Sequence, residues 1–232
     1  MKEIQDIRQL RTYLKAHQIE SVFSEQLIPH LSLYSYDIGE SVCTQGEAAD
    51  TLYVLVKGKL KIYTTSPEGK TLIVSFKTPL EVIGDIEYIK GIEIINTVEV
   101  VSPAHMIAVP YRCLNKYGQN HAPLLKFLLD VLAQKFYVKS SFLSFNLMYP
   151  VEVRLASYLL SICFDETDSA FVGKLSTGLL VDVANLIGTS YRHLNRVILK
   201  LSQEGLIERS KGAIVVKDKE GLRALAERNI YE

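Results

Sequence analysis

The chain has 232 residues, 26 Lys plus Arg against 26 Asp plus Glu, 48% hydrophobic and 22% charged residues. That length bounds one or two domains, each large enough for its own core, and the composition is ordinary for a globular protein. No apolar run approaches the roughly 20 residues that cross a membrane. The opening MKEIQDIRQLR alternates charged with apolar residues, so no export signal is expected and the reading places the protein in the cytoplasm. Cys43, Cys113 and Cys163 are odd in number and far apart, with no CxxC or zinc spacing. Neither a disulfide nor a metal site is expected, and the thiols read as buried, with redox sensing as the alternative.

In chain order, residues 3–28 read as one or two helices: Ile4, Ile7, Leu10 and Leu14 form one stripe, and Val22, Phe23 and Leu27 a second. From Leu31 the period changes. Short apolar or alternating runs at 31–36, 41–44, 52–57, 59–64, 71–78, 93–101 and 104–109 are separated by turn residues such as Gly39, Gly46, Gly58, Gly69 and Pro79. Many short strands with regular turns predict a β-sandwich or barrel. Helical periodicity then returns. Leu125, Leu129, Leu132, Phe136, Lys139, Leu143 and Asn146 recur in alternating steps of four and three, the seam of a coiled coil. The seam predicts self-association through Leu125, Leu129, Leu132, Phe136 and Leu143, weakened in its lower half by Lys139 and Asn146. Met148-Tyr149-Pro150 ends this helix, because the residue before proline disfavours α geometry, and marks a hinge.

Residues 151–164 predict a strongly apolar core helix, 165–173 a polar loop and 174–176 a short strand. In 181–200, Val183, Ala184, Leu186 and Ile187 line one helix face, and Leu194, Val197, Ile198 and Leu201 another. Gly188 can take a positive φ and close the first helix, and Ser190 can cap the second, which makes a helix-turn-helix. The second helix offers Tyr191, Arg192, Asn195, Arg196 and Lys200 on its polar face, suited to the major groove. Glu204 to Ile207 reads as a connector, Arg209-Ser210-Lys211-Gly212 as a tight turn and 213–216 as a strand, together a wing. Arg209, Lys211 and Lys217 are available there to phosphate. From Leu186 to Lys217 six Lys/Arg face two acids, a local excess of four positive charges in a neutral chain. An amphipathic tail over 219–228 carries Leu222, Leu225 and Ala226.

This order of parts resembles the CRP/FNR superfamily of bacterial transcription regulators. The resemblance is carried by Gly39-Glu40, Gln45-Gly46-Glu47, Leu52-Tyr53-Val54-Leu55, Lys57-Gly58-Lys59-Leu60 and Pro67-Glu68-Gly69-Lys70, then by Gly188-Thr189-Ser190-Tyr191-Arg192-His193-Leu194 with its wing. That last segment is similar to the YeiL-type branch. The resemblance implies an α+β chain in three parts. Residues 1–121 would form a cyclic-nucleotide-binding-like double-stranded β-helix (jelly-roll) sandwich. Residues 122–149 would form a dimerisation helix and hinge, and 150–232 a winged helix-turn-helix DNA-binding domain. It further implies a homodimer on a palindromic operator, one recognition helix per half-site, with double-stranded DNA and RNA polymerase as partners and a signal bound in the sandwich.

The departures from that family redirect the site assignment. Its phosphate-binding cassette carries Gly-Glu and then Arg-Ser or Arg-Thr; here Gly84-Asp85 and Ile95-Asn96 stand in those places. A buried phosphate facing Ile95 would lack its cation, so cAMP or cGMP is not expected. The pocket at Gly84, Asp85, Ile95 and Asn96 is then read as holding another small molecule or as scaffold, with Lys90 on a loop nearby. The cysteines of the iron–sulfur branch are missing. Arg192 and Arg196 are the base-reading candidates, and Ser190, Tyr191, His193 and Lys200 contact phosphate or the groove wall, with Arg209 and Lys211 on the wing. The alternative function is a small-molecule sensor acting through protein contacts. No nucleophile–base pair or Walker loop stands out, so an enzyme is not expected.

Overall fold

A computed structural model describes residues 1–69, 71–162, 174–210 and 212–226 of the chain. The chain opens on strand β1 (Lys2–Ile4) and helix α1 (Ile7–Ala16), followed by single 3-10 turns at Glu20–Val22 and Ile28–His30. The helical expectation over 3–28 therefore holds only for α1. Asp6 accepts the backbone N–H groups of Arg8 and Gln9 and starts the helix after Ile4, which pairs with Leu33 in β2 (Ser32–Tyr36). The apparent stripe from Ile4 to Leu14 thus crosses a strand–helix boundary. Leu10 and Leu14 are buried, whereas Ile7 is exposed.

The sandwich continues with β3 (Ser41–Cys43), β4 (Thr51–Thr65), β5 (Thr71–Lys77), β6 (Glu81–Ile83), helix α2 (Asp85–Lys90), β7 (Thr97–Pro110) and helix α3 (Tyr111–Tyr117). Its sheet path is β1-β2-β7-β4-β5, with β3 added on β7 and β6 on β4. Two pairs of expected strands are single long ones. Runs 52–57 and 59–64 merge into β4. Run 104–109 joins the end of 93–101 in β7, while residues 93–96 lie before the strand. Lys90 ends α2 and is not on a loop.

Gly58 explains the first merger. It sits at φ +94°, where the β4–β7 register slips between Leu55 and Leu60. Side chains alternate faces along a strand, so one extra residue reverses the alternation. Before the slip Leu52, Val54 and Val56 join the core shared with Leu10, Leu14, Ile107 and Val109. After it, Leu60 and Ile62 enter the second core with Leu55, Val98, Val100 and Met106. A turn-like signal in sequence is a bulge: before it the odd-numbered Leu55 faces the second core, after it the even-numbered Leu60 and Ile62 do.

Helix α4 (Ala122–Met148) follows, and α5 (Val151–Ile162) begins directly after Pro150. Beyond it come β8 (Lys174–Ser176), α6 (Leu180–Leu186), α7 (Tyr191–Gln203), β9 (Ile207–Ser210), β10 (Ala213–Val216) and α8 (Lys219–Ala226). The three strands form an antiparallel sheet in the order β8-β10-β9. Ile207, Arg209 and Ser210, expected in the connector and the tight turn, are strand residues, because β9 pairs with β10 from Ala213↔Ser210 to Val216↔Ile207. One core gathers Leu155, Leu159, Val183, Ile187, Leu194, Ile198, Leu201, Ile214 and Leu222. Compact units comprise residues 1–64 with 77–136, and 65–76 with 137–232; α4 supplies residues to both.

A Cβ on Gly58 would stand 2.5 Å from Pro103 O and 2.6 Å from Ala104 Cα, in a backbone conformation that side chains disfavour. Gly58→Ala is expected to cost about 2 kcal/mol or more and to lower the melting temperature by roughly 4–8 °C. Scanning calorimetry checks this; an unchanged transition would refute the bulge as a fixed element.

Candidate nucleic-acid interface and effector pocket

The recognition element is built from its cap outward. After α6, Gly188 takes φ +66° and turns the chain. Ser190 adopts extended backbone, and its Oγ accepts the His193 N–H at 3.2 Å, satisfying one of the open donors at the start of α7. Leu194, Val197, Ile198 and Leu201 bury one face of α7 in the domain core. That leaves Tyr191, Arg192, Arg196 and Lys200 exposed on the others, with His193 half-buried.

The basic residues differ in what holds them. Among the described residues, Arg192 and Arg196 have no acidic partner. Lys200 points its Nζ to Glu152 Oε1 on α5 at 3.6 Å, and Lys217 pairs with Glu208 inside the wing. Arg209, on β9, donates from Nη1 to Asn195 Oδ1 at 3.1 Å, while Asn195 Nδ2 donates to Tyr191 O at 3.0 Å. Asn195 therefore ties the wing to the recognition helix and orients a guanidinium beside it. Spacing along one helix carries no sign of this link, because its two ends lie on different elements. Lys211 lies outside the described residues, as does Cys163.

The second candidate region lies in the sandwich. Gly84 precedes α2, and its carbonyl accepts the Tyr111 hydroxyl at 2.6 Å. Asp85 is buried, and its Oδ1 accepts Lys135 Nζ at 2.8 Å. The same ammonium donates to Val82 O at 2.7 Å and pairs with Glu81 Oε1 at 3.1 Å, and Glu81 is also paired with Lys77 at 3.0 Å. The spacing carries a sign of Lys135: Leu124, Leu128, Val131 and Lys135 follow a four-three-four step, each one position before a seam residue, on the neighbouring face of α4.

Glu87 changes the chemistry of the cassette. Its carboxylate is buried and accepts the Ile95 N–H at 3.1 Å, while the Ile95 side chain is exposed. A backbone donor at the family's phosphate position is thus already bonded to an anion from the protein itself. With Glu81, Asp85 and Glu87 against Lys77 and Lys135, the group carries one net negative charge, and no arginine is present. A cyclic phosphodiester brought here would meet carboxylate repulsion and lose its solvation without a cation in return. The residues do not fit a cyclic nucleotide. Asn96 contributes its carbonyl, 3.9 Å from the Cys43 sulfur. Burial first, and then the Glu87 carboxylate, push the Cys43 thiol up to about 12, so it stays protonated and poorly nucleophilic at neutral pH. Cys113 is buried.

Comparison with known proteins agrees with this architecture. The family model of the cyclic nucleotide-binding domain matches residues 34–121, and that of the Crp-like helix-turn-helix domain matches residues 153–225. The chain is 25% identical over 211 residues to the regulatory protein YeiL of Escherichia coli O157:H7, covering 89% of this chain and 93% of that protein. It is 20% identical over 198 residues to the CRP-like cAMP-activated global transcriptional regulator of Mycobacterium tuberculosis, covering 84% and 88%. Among solved structures, a CRP/FNR-family transcriptional regulator of Thermus thermophilus superposes with a TM-score of 0.62 at 22% identity, covering 85% of this chain and 99% of that one. The c-di-GMP responsive global regulator CLP of Xanthomonas campestris superposes with a TM-score of 0.62 at 19% identity, covering 83% and 96%. A cyclic nucleotide-binding sandwich, a long helix and a Crp-like helix-turn-helix in this order make the chain a member of the CRP/FNR superfamily of DNA-binding transcription regulators.

Proposed function

We propose that the protein works as a homodimer on a palindromic operator, reading base edges with Arg192 and Arg196 of α7 and bracing on phosphate through Ser190, Tyr191, His193, Lys200 and the wing. The carrying observation is the capped recognition helix with two exposed arginines that have no acidic partner among the described residues, beside an anchored Arg209. Bidentate contact of arginine with guanine O6 and N7 is the commonest specific protein–DNA contact. Residues 1–121 then serve as sensor, 122–149 as dimer helix and hinge, and 150–232 as the reader. RNA polymerase is the partner at the promoter.

Dimer formation is supported by the state of the seam. Leu125, Leu129, Phe136 and Leu143 are 48%, 66%, 74% and 61% exposed, and Leu132 is half-buried. Leu124 and Leu128, one position earlier, are buried in the sandwich core. An apolar row of that length in water is the pattern of an interface. The signal is a ligand other than a cyclic nucleotide: the Glu87 carboxylate disfavours phosphate, and the raised Cys43 thiol weighs against a thiolate sensor.

Each part of this reading has its own measurement. Selection of duplexes from a random pool at near-physiological salt is expected to return a palindrome with half-sites about one helical turn apart. Arg192→Ala with Arg196→Ala should lose that preference, on the order of 100-fold or more in Kd, and keep weak salt-sensitive binding. Unchanged affinity would remove both residues from the site. Leu129→Lys with Phe136→Lys should convert dimer to monomer in sedimentation velocity; a dimer that persists would place the interface elsewhere. Millimolar cAMP or cGMP should leave the melting temperature unchanged. A micromolar binder at that concentration would raise stability by roughly 3–4 kcal/mol, so a clear upward shift would refute the cassette reading.

A further inference from the structure

The carbonyl end of α6 poses a backbone problem that the helix-turn-helix does not solve by itself. The last carbonyls of a helix have no partner within it. Inside the turn, Gly188 N–H returns to Asn185 O at 3.2 Å and Thr189 N–H to Ala184 O at 2.8 Å. The carbonyls of Leu186, Ile187 and Gly188 instead receive donors from two other helices. Asn146, near the end of α4, donates Nδ2 to Leu186 O at 3.3 Å. Arg154, in the second turn of α5, donates Nη1 to Ile187 O and, at 3.3 Å, to Gly188 O.

These two side chains are placed for this task and not for contact with DNA. Arg154 is only 9% exposed, a buried cation in a strongly apolar helix, and Ile187 is fully buried. A cation at the carbonyl end of a helix is favourably placed. Gly188 leaves room for the guanidinium: a Cβ there would stand 3.2 Å from Arg154 Nη1. Two residues after Gly188, Ser190 caps α7. A donor on either side of the Pro150 break grips consecutive carbonyls of the segment that aims the recognition helix.

We propose that Asn146 and Arg154 are positioning residues for DNA reading, a clamp that fixes the start of α7 and makes the last turns of the dimer helix part of it. The proposal rests on the DNA-reading function above. Rotation or sliding of the end of α4 withdraws Nδ2 from Leu186 O and frees the turn. Asn146, which belongs to the seam by spacing alone, acts on the helix-turn-helix.

The test uses the full chain with Asn146→Ala, which deletes the donor, and Asn146→Asp, which keeps the size and sets a carboxylate against the Leu186 carbonyl. Hydrogen exchange of peptides spanning 184–193 is expected to quicken by about tenfold in Asn146→Ala and further in Asn146→Asp, while the wing at 207–216 exchanges as in the wild type. Affinity for the selected operator should fall in the same order, while affinity for random duplex stays unchanged and the melting temperature falls by only roughly 2–4 °C in Asn146→Ala. A residue that merely contributed stability would lower the melting temperature and both affinities together. Arg154→Lys, which keeps the charge but loses the planar fork, should fall between wild type and Asn146→Asp in both readouts. Unaltered exchange at 184–193 in both Asn146 variants overturns the clamp. Quickened exchange with unaltered operator affinity overturns its role in DNA reading. Absence of any preferred site for the wild type overturns the DNA-reading function and leaves the exchange result to decide the clamp.

Discussion

Helix α4 must satisfy apolar side chains on more than one face, and much of the molecule's organisation answers to that constraint. Leu124 and Leu128 bury in the sandwich core, and Phe145 is buried farther along. Leu125, Leu129, Phe136, Leu143 and Leu147 remain open to water. Burying one such side chain fully is worth about 1.5–3 kcal/mol, so this row is comparable in gross magnitude with the roughly 5–15 kcal/mol that holds a whole domain together. Within the dimer reading, association and folding are therefore not separate questions. The polar positions on the same helix acquire meaning from their partners: Lys135 locks to Asp85 and Glu81, and Asn146 reaches Leu186.

The sandwich shows how a fold is kept while its ligand chemistry changes. A cyclic-nucleotide cassette works by offering backbone donors and a cation to a phosphate in a desolvated place. Here α2 follows Gly84, whose carbonyl accepts the Tyr111 hydroxyl. The donor at Ile95, however, is bonded to Glu87, and Asp85 is tied to an ammonium from α4. Matching a cyclic nucleotide-binding family model is a statement about strands and turns; what binds is decided by the charge at three or four positions. The Lys135 network also joins the cassette helix to α4.

Much of this was legible in the sequence, and the failures have physical causes. The helix-turn-helix could be read because turn, cap and periodicity all lie within twenty consecutive residues: Gly188 turns, Ser190 caps and Leu194 to Leu201 bury. The long strands β4 and β7 were broken in two because glycine at positive φ suits a hairpin turn and a bulge equally; only the partner strand, which runs on past Gly58, distinguishes them. The N-terminal stripe misled because Ile4 and Ile7 keep helical spacing across a boundary set by Asp6. Arg154 sits among Val151, Leu155, Ala156 and Leu159, and a charge in such apolar company needs a partner; the sequence does not show that the partners are backbone carbonyls. The links Arg209–Asn195, Glu87–Ile95 and Asn146–Leu186 join segments that sequence spacing does not relate.

The charge count around the recognition helix does not say how each cation is held. Six basic residues lie between Leu186 and Lys217, yet Lys200 faces Glu152, Lys217 faces Glu208 and Arg209 is held by Asn195. Counterion release scales with the number of phosphates a protein neutralises, and phosphate contacts carry no sequence information, so whichever cations reach phosphate give a subunit affinity without preference. Its discrimination must then come from the geometry of a few base contacts, and geometry of that kind tolerates little error in where α7 begins. In the proposed clamp this is why a buried arginine and a seam asparagine matter to recognition: they hold the carbonyls of Leu186, Ile187 and Gly188, just ahead of the Ser190 cap. Preference that rests on aim is also what withdrawal of Asn146 from the Leu186 carbonyl would loosen.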